Sequence, residues 1–233
     1  MRIETGVAGL DERLGGGLPS GSLVLLLSNS ETCLRLFQQQ ALFHIALAGR
    51  RVFYLTVIKD PEYIRDEMVL YGWDVKNFES KNLWLFVDAY TQKVDSLMMA
   101  PQAGPKFDLM VLIRRAILSQ LKDGDVILFD SLSDILLMQS TLPTIELLEI
   151  VSSQVRKTKG IVFLPVFMEM HDKKTLAIIS HIADVVVDLE LGKMQFEGKM
   201  RFWKMRGVRA EPLSLPFSIT DRGLMADTFT HVV

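Results

Sequence analysis

Residues 21–37 read GSLVLLLSNSETCLRLF, an apolar run, a short polar loop and then a helical pattern. Nucleotide-binding α/β proteins keep a phosphate loop in such a place. Glycines let backbone amides curl around phosphate oxygens, a lysine reaches the terminal phosphates, and a Ser or Thr hydroxyl ligates magnesium. The stretch lacks the G-x-x-x-x-G-K-[ST] pattern that supplies those groups. A second position with chemistry is Asp130, which closes the apolar run 126–129. In phosphate-loop proteins an aspartate at such a strand end helps to hold the magnesium. A third is Lys204-Met205-Arg206-Gly207, where two cations at a strand end, taken alone, suit a solvated edge that resists aggregation.

Other reactive side chains offer less. His44, His171, His181 and His231 are scattered without metal-ligand spacing and receive no metal role. Cys33 is alone, which excludes an internal disulfide and a cysteine-built metal site. Nothing near it in sequence marks an activated thiolate, so it reads as a small buried residue. Met98, Met99, Met168 and Met170 read as core or loop packing.

The elements that must position these groups alternate along the chain. Strands are predicted over 23–27, 51–57, 83–87, 126–129 and 161–167 from runs rich in Val, Leu, Ile and Phe. Helices are predicted over 32–47 with Gly49 as its C-cap, after Asp60-Pro61, over 109–117 and over 144–157. This alternation implies an α/β fold with a mainly parallel sheet, right-handed crossovers and helices on both faces. Residues 1–20 form a lead-in with a short helix near 9–14 and a triple-glycine turn, pressed against the rest of the chain. Residues 91–106, with Pro101, Gly104 and Pro105, read as a loop over the carboxyl edge of the sheet. Strands at 185–191, 200–205 and 217–220 suggest a terminal meander.

A chain of 233 residues, 49% hydrophobic, builds one sizeable core rather than two full domains. With 26 basic and 28 acidic residues the net charge is -2, so no global field favours nucleic acid or an anionic membrane. No apolar run reaches the length of a membrane span, and Met1-Arg2-Ile3-Glu4 has no signal-peptide core, so a cytoplasmic location is expected.

The flanks of the first stretch carry a resemblance. Thr5-Gly6-Val7-Ala8-Gly9-Leu10-Asp11-Glu12, Gly15-Gly16-Gly17-Leu18-Pro19 and Gly21-Ser22 resemble the N-terminal signature of KaiC-like proteins of the RecA superfamily. The likeness continues through Tyr54-Leu55-Thr56, Asp60-Pro61-Glu62, Gly72-Trp73-Asp74, Asp130-Ser131-Leu132-Ser133 and His181-Ile182-Ala183-Asp184. It ends with Lys204-Met205-Arg206-Gly207 and the run from Pro216 to Gly223. The resemblance implies a RecA-like P-loop NTPase fold spanning 1–233 as one domain, with antiparallel strands at the C-terminal edge. It also sets the register of the phosphate loop, which falls on Ser28, Asn29, Ser30, Glu31, Thr32, Cys33, Leu34 and Arg35. Leu34 then stands at the lysine position, Arg35 at the metal-binding hydroxyl, and Glu31 puts a carboxylate where phosphate oxygens would sit. The paired acidic residues that polarise the attacking water fall on Ile58 and Lys59. Asp130, followed by Ser131, matches the Walker B aspartate and survives. Lys204 and Arg206 match trans-acting residues that reach a neighbour's terminal phosphate, and His171 a sensor position.

These matches and departures lead to a KaiC/RecA-like pseudo-ATPase with a degenerate Walker A motif and no cofactor. It would act as a regulatory or interaction protein, in a homo-oligomer or with an intact paralogue. With no magnesium, Asp130 would be neutralised by Arg35 or Lys59. One alternative is a divergent ATPase that binds Mg-ATP through Arg35 and Lys59. Another is a nucleic-acid-binding recombination modulator, opposed by the near-neutral charge and the lack of a basic run interleaved with aromatics.

Overall fold

The computed structural model describes residues 1–99, 107–193, 196–207 and 213–227, with backbone alone at Glu31 and Met99. The chain opens with β1 (Arg2–Ile3), α1 (Leu10–Arg13) and β2 (Leu18–Pro19), the two strands pairing antiparallel. Asp11 fixes this lead-in by accepting hydrogen bonds from Thr5 N, Thr5 Oγ1 and Gly6 N at 2.8–2.9 Å. Gly17 sits at φ 97°, where a Cβ would lie 2.2 Å from the Ile3 carbonyl oxygen. The triple-glycine segment is therefore a close backbone path, as the sequence suggests.

Nine strands form the main sheet. In chain order they are β3 (Ser22–Ser28), β4 (Val52–Thr56), β5 (Trp84–Asp88), β6 (Val126–Asp130), β7 (Ile161–Phe167), β8 (Val185–Leu191), β9 (Glu197–Met205), β10 (Leu213–Thr220) and β11 (Gly223–Ala226). Their spatial order is β11-β10-β9-β8-β3-β7-β6-β4-β5. The six strands from β5 to β8 run parallel, and β9, β10 and β11 continue antiparallel. Every residue of β3 and β4 is buried, which is why both read as continuous apolar runs.

The helices are α2 (Glu31–Leu47), α3 (Pro61–Leu70), α4 (Lys76–Ser80), α5 (Ala89–Met99), α6 (Leu109–Ala116), α7 (Leu132–Gln139), α8 (Thr141–Thr158) and α9 (Lys173–Ile182). They cover two separate apolar clusters, one on each face of the sheet. Leu34, Phe37 and Leu42 of α2 pack with Val24, Tyr54 and Leu128 on one face. Ile113, Leu132, Leu148 and Ile179 pack with Leu25, Phe53 and Phe129 on the other.

Several expectations are corrected. The loop predicted over 91–106 is helical up to Met99, because Asp88 accepts a hydrogen bond from Thr91 N at 2.8 Å and starts α5. Its remainder, 100–106, lies outside the described residues. Helices α7 and α9 add to the prediction, each begun by a side-chain cap. Ser131 Oγ accepts from Asp134 N at 3.3 Å, and Asp172 Oδ1 from Thr175 N at 2.7 Å. β11 is also additional. Gln40 of α2 pins it by accepting from Leu224 N at 2.7 Å and donating to Leu224 O at 3.0 Å.

Candidate functional site

The carboxyl ends of β3, β4, β6 and β7 meet on one edge of the sheet, where open α/β folds bind ligands. Between β3 and α2 stand only Asn29 and Ser30. Ser28 holds this turn from below: its buried hydroxyl donates to Leu189 O at 2.5 Å and accepts from Ser30 N at 3.0 Å. Asn29 and Thr32 are exposed, whereas Cys33 and Leu34 are 0% and 1% exposed within the core. Burial pushes the Cys33 thiol up, against a hydrogen bond with Ser30, which accords with a packed rather than reactive cysteine. The side chain of Glu31 lies outside the described ones.

Above this turn lies a cavity of about 420 Å³. Asn29, Arg35, Thr56, Lys59, Asp130, Asp134 and Glu169 contribute polar groups to its lining, and Ile58, Ile64, Phe167 and Met170 contribute apolar ones. A second hollow of about 340 Å³, lined in part by Thr32, Tyr63 and Glu67, shares Arg35 and Lys59 with the first.

The partners of Asp130 differ from those expected. Tyr54 Oη donates to Asp130 Oδ2 at 2.8 Å, and the Gln38 side chain hydrogen-bonds the same carboxylate. Both donors are buried, Tyr54 at 0% and Gln38 at 1% exposure. Burial raises the Asp130 carboxyl above the usual aspartate range, while the Tyr54 hydrogen bond, the Arg35 charge and Gln38 pull it down. Burial also pushes the Tyr54 phenol well up, with Asp130 adding to the effect, so it stays a donor. Arg35 and Lys59 instead converge on Glu67 of α3. Arg35 Nη1 lies 2.6 Å from Glu67 Oε2, and Lys59 Nζ lies 3.8 Å from Glu67 Oε1. The expected ion pair of Asp130 with either cation is thus replaced by neutral donors, and Arg35 acts on the carboxylate through space. Sequence reasoning missed Tyr54 and Gln38. The reason lies in the sheet register: Thr56 is paired with Asp130, so Tyr54 and Asp130 face α2 together.

Ser131 caps α7, and its hydroxyl hydrogen-bonds the Asp134 carboxylate. His171 Nε2 lies 2.8 Å from Ser133 Oγ, and burial lowers its pKa. His44 packs over Gly6, His181 lies in the last turn of α9, and His231 is outside the described residues.

Lys204 and Arg206 stand at the opposite, amino-terminal edge of the parallel strands. Lys204 Nζ donates to Ser180 O and His181 O at 3.3 and 2.9 Å, meeting the C-terminal carbonyls of α9. Arg206 Nη1 pairs with Asp184 Oδ1 at 3.2 Å, and its Nη2 donates to Gly21 O at 2.8 Å. Asp184 also accepts from Leu23 N and pairs with Arg156 of α8. The two cations therefore do not join the cavity of their own chain.

Comparison with known proteins places this geometry. The family model described as "ATPase: KaiC" matches residues 3–227. A UPF0273 protein of Pyrococcus horikoshii is 26% identical over 235 residues, spanning 96% of this chain and 93% of its own length. The solved structure of a KaiC-like protein from Pyrococcus horikoshii gives a TM-score of 0.71 at 23% identity, over 97% of this chain and 99% of that one. The structure of flagellar accessory protein FlaH from Methanocaldococcus jannaschii gives 0.74 at 17% identity, over 97% and 98%. At these identities the two structures speak to the RecA-like fold and to nothing finer.

Proposed function

The chain belongs to the KaiC family of ATPases, and on that premise we propose that it is a pseudo-ATPase that serves as a regulatory or interaction protein. The observation that carries this reading is the fate of the two groups that would hold Mg-ATP. Leu34, at the lysine position, is buried in the core, and Asp130, at the magnesium position, is bonded by Tyr54 and Gln38. Mg-ATP does not suit such a site. A carboxylate that already accepts two internal hydrogen bonds offers little to a cation that demands near-ideal geometry. Loss of the lysine removes a charge-assisted contact of roughly 1.5–3 kcal/mol. Ile58 and Lys59 leave no carboxylate to activate water at the family's positions.

A second reading, a divergent ATP-binding protein, draws on the presence of Arg35 and Lys59 in the cavity lining. Both cations are held by Glu67, so phosphate would have to compete with an existing carboxylate. Phosphate release from millimolar Mg-ATP separates the readings. The pseudo-ATPase gives the buffer rate, and turnover abolished by Arg35→Ala would establish the ATPase. In this proposal Lys204 and Arg206 would exchange their contacts with α9 and Asp184 for a second copy or an intact paralogue.

A further inference from the structure

We infer that the amino-terminal edge of the parallel sheet is a docking face for an anionic phospholipid bilayer, held at the surface by charge. This face lies at the far end of the strands from the cavity, so the inference stands apart from the pseudo-ATPase reading. Its cations are scattered in sequence and gathered by the fold. Residues 50–51, 122–125, 156–160, 183–184 and 204–206 meet β4, β6, β7, β8 and β9 at this edge. Backbone hydrogen bonds stitch them together: Gly124 N donates to Thr158 O at 2.7 Å, Val126 N to Arg51 O at 2.8 Å and Arg206 N to Asp184 O at 3.0 Å. The five segments carry eight Lys and Arg against three Asp, in a chain whose net charge is -2.

Two of the three aspartates, Asp125 and Asp184, are 5% exposed and are turned inward to arginines. Arg156 and Arg206 share one Asp184 oxygen at 3.2 Å each while their side chains stay 54% and 43% exposed. One buried charge thus serves two guanidiniums that reach solvent. Lys122, Lys157 and Lys159 are exposed as well, and the exposed carboxylates Asp123 and Glu4 offset only part of this charge. From β9 to β4 the edge crosses five inter-strand spacings, about 24 Å. Arg50 extends it beside the end of α2, and Arg156 beside the end of α8. The cations therefore cover the ends of both helical layers as well as the sheet rim, a surface rather than a track. None of the five segments contains an aromatic residue, so a single-stranded nucleic acid would find phosphate contacts without a platform for its bases. An anionic bilayer needs no such platform, because Lys and Arg near its surface each add attraction within a Debye length. No described helix can cross a membrane, which makes the contact peripheral.

The test is cosedimentation of the full chain with vesicles of phosphatidylserine and phosphatidylcholine in about equal parts, beside vesicles of phosphatidylcholine alone. The expected result is saturable binding to the mixed vesicles that is lost without phosphatidylserine and weakened by salt. The double variant Lys157→Gln, Lys159→Gln, with its fold checked by a melting curve, should bind about 25-fold more weakly, about fivefold for each lysine. The control Lys173→Gln, Lys174→Gln removes the same charge at the start of α9, on the carboxyl edge, and should bind as the parent does. Absence of binding, equal binding to pure phosphatidylcholine, or equal weakening by the two double variants overturns the inference. Displacement of the vesicles by a tightly bound single-stranded oligonucleotide would assign the face to nucleic acid and overturn it too.

Discussion

Asp130 retains a carboxylate at a strand end whose surroundings oppose its charge. Burial raises its folded pKa above the ordinary aspartate range, despite help from Tyr54, Arg35 and Gln38. Between the ordinary value and the raised one, the folded chain holds more protons than the unfolded chain. Stability therefore falls as pH rises through that window and levels off above it. Asp130→Asn keeps an acceptor for Tyr54 and removes the buried charge. The variant should match or exceed the parent's stability at neutral pH, within about 1–2 kcal/mol, and lose its share of the gain on acidification. Urea unfolding at neutral and acidic pH checks both. A loss of several kcal/mol at neutral pH would mean that the charge itself is structurally required. This residue also marks the limit of the sequence. That Asp130 closes its strand was legible. Its partners were not, since spacing along α2 does not say which helical residue meets which strand.

At the scale of elements, Glu67 joins α2 and α3 by gathering Arg35 and Lys59. The Arg35 and Glu67 side chains are 14% and 26% exposed, so the pair is partly shielded from solvent. Arg35→Ala should destabilise the chain by about 1–2 kcal/mol, between an exposed ion pair and a buried one. Denaturant unfolding measures it, and an unchanged midpoint would show the pair to be idle. The strands were the most legible elements. β3, β4, β6 and β7 are buried on both faces, and their sequences are nearly continuous apolar runs. α5 escaped notice because Pro101, Gly104 and Pro105 suggested a loop reaching back to residue 91, while Asp88 supplied a cap. α7 and α9 carry their signals in Ser131 and Asp172, caps that are short and common in turns as well.

For the whole molecule, the family signature divides by what it does in this chain. Asp11 and Asp184 lie in its most recognisable segments, and both are structural ties. One clamps the lead-in through Thr5 and Gly6, and the other joins the start of β3 to α8 and the end of β9. No described helix is long and apolar enough to cross a membrane. The sheet keeps its carboxyl edge cavity and its amino edge cations, Lys204 and Arg206, at opposite ends. The most direct measurement is isothermal calorimetry of the full chain against Mg-ATP up to millimolar concentration. The account predicts no heat beyond dilution, because Leu34 and the Tyr54-bonded Asp130 leave the nucleotide without its two anchors. Saturable binding in the micromolar range would contradict it and make Arg35 and Lys59 phosphate ligands.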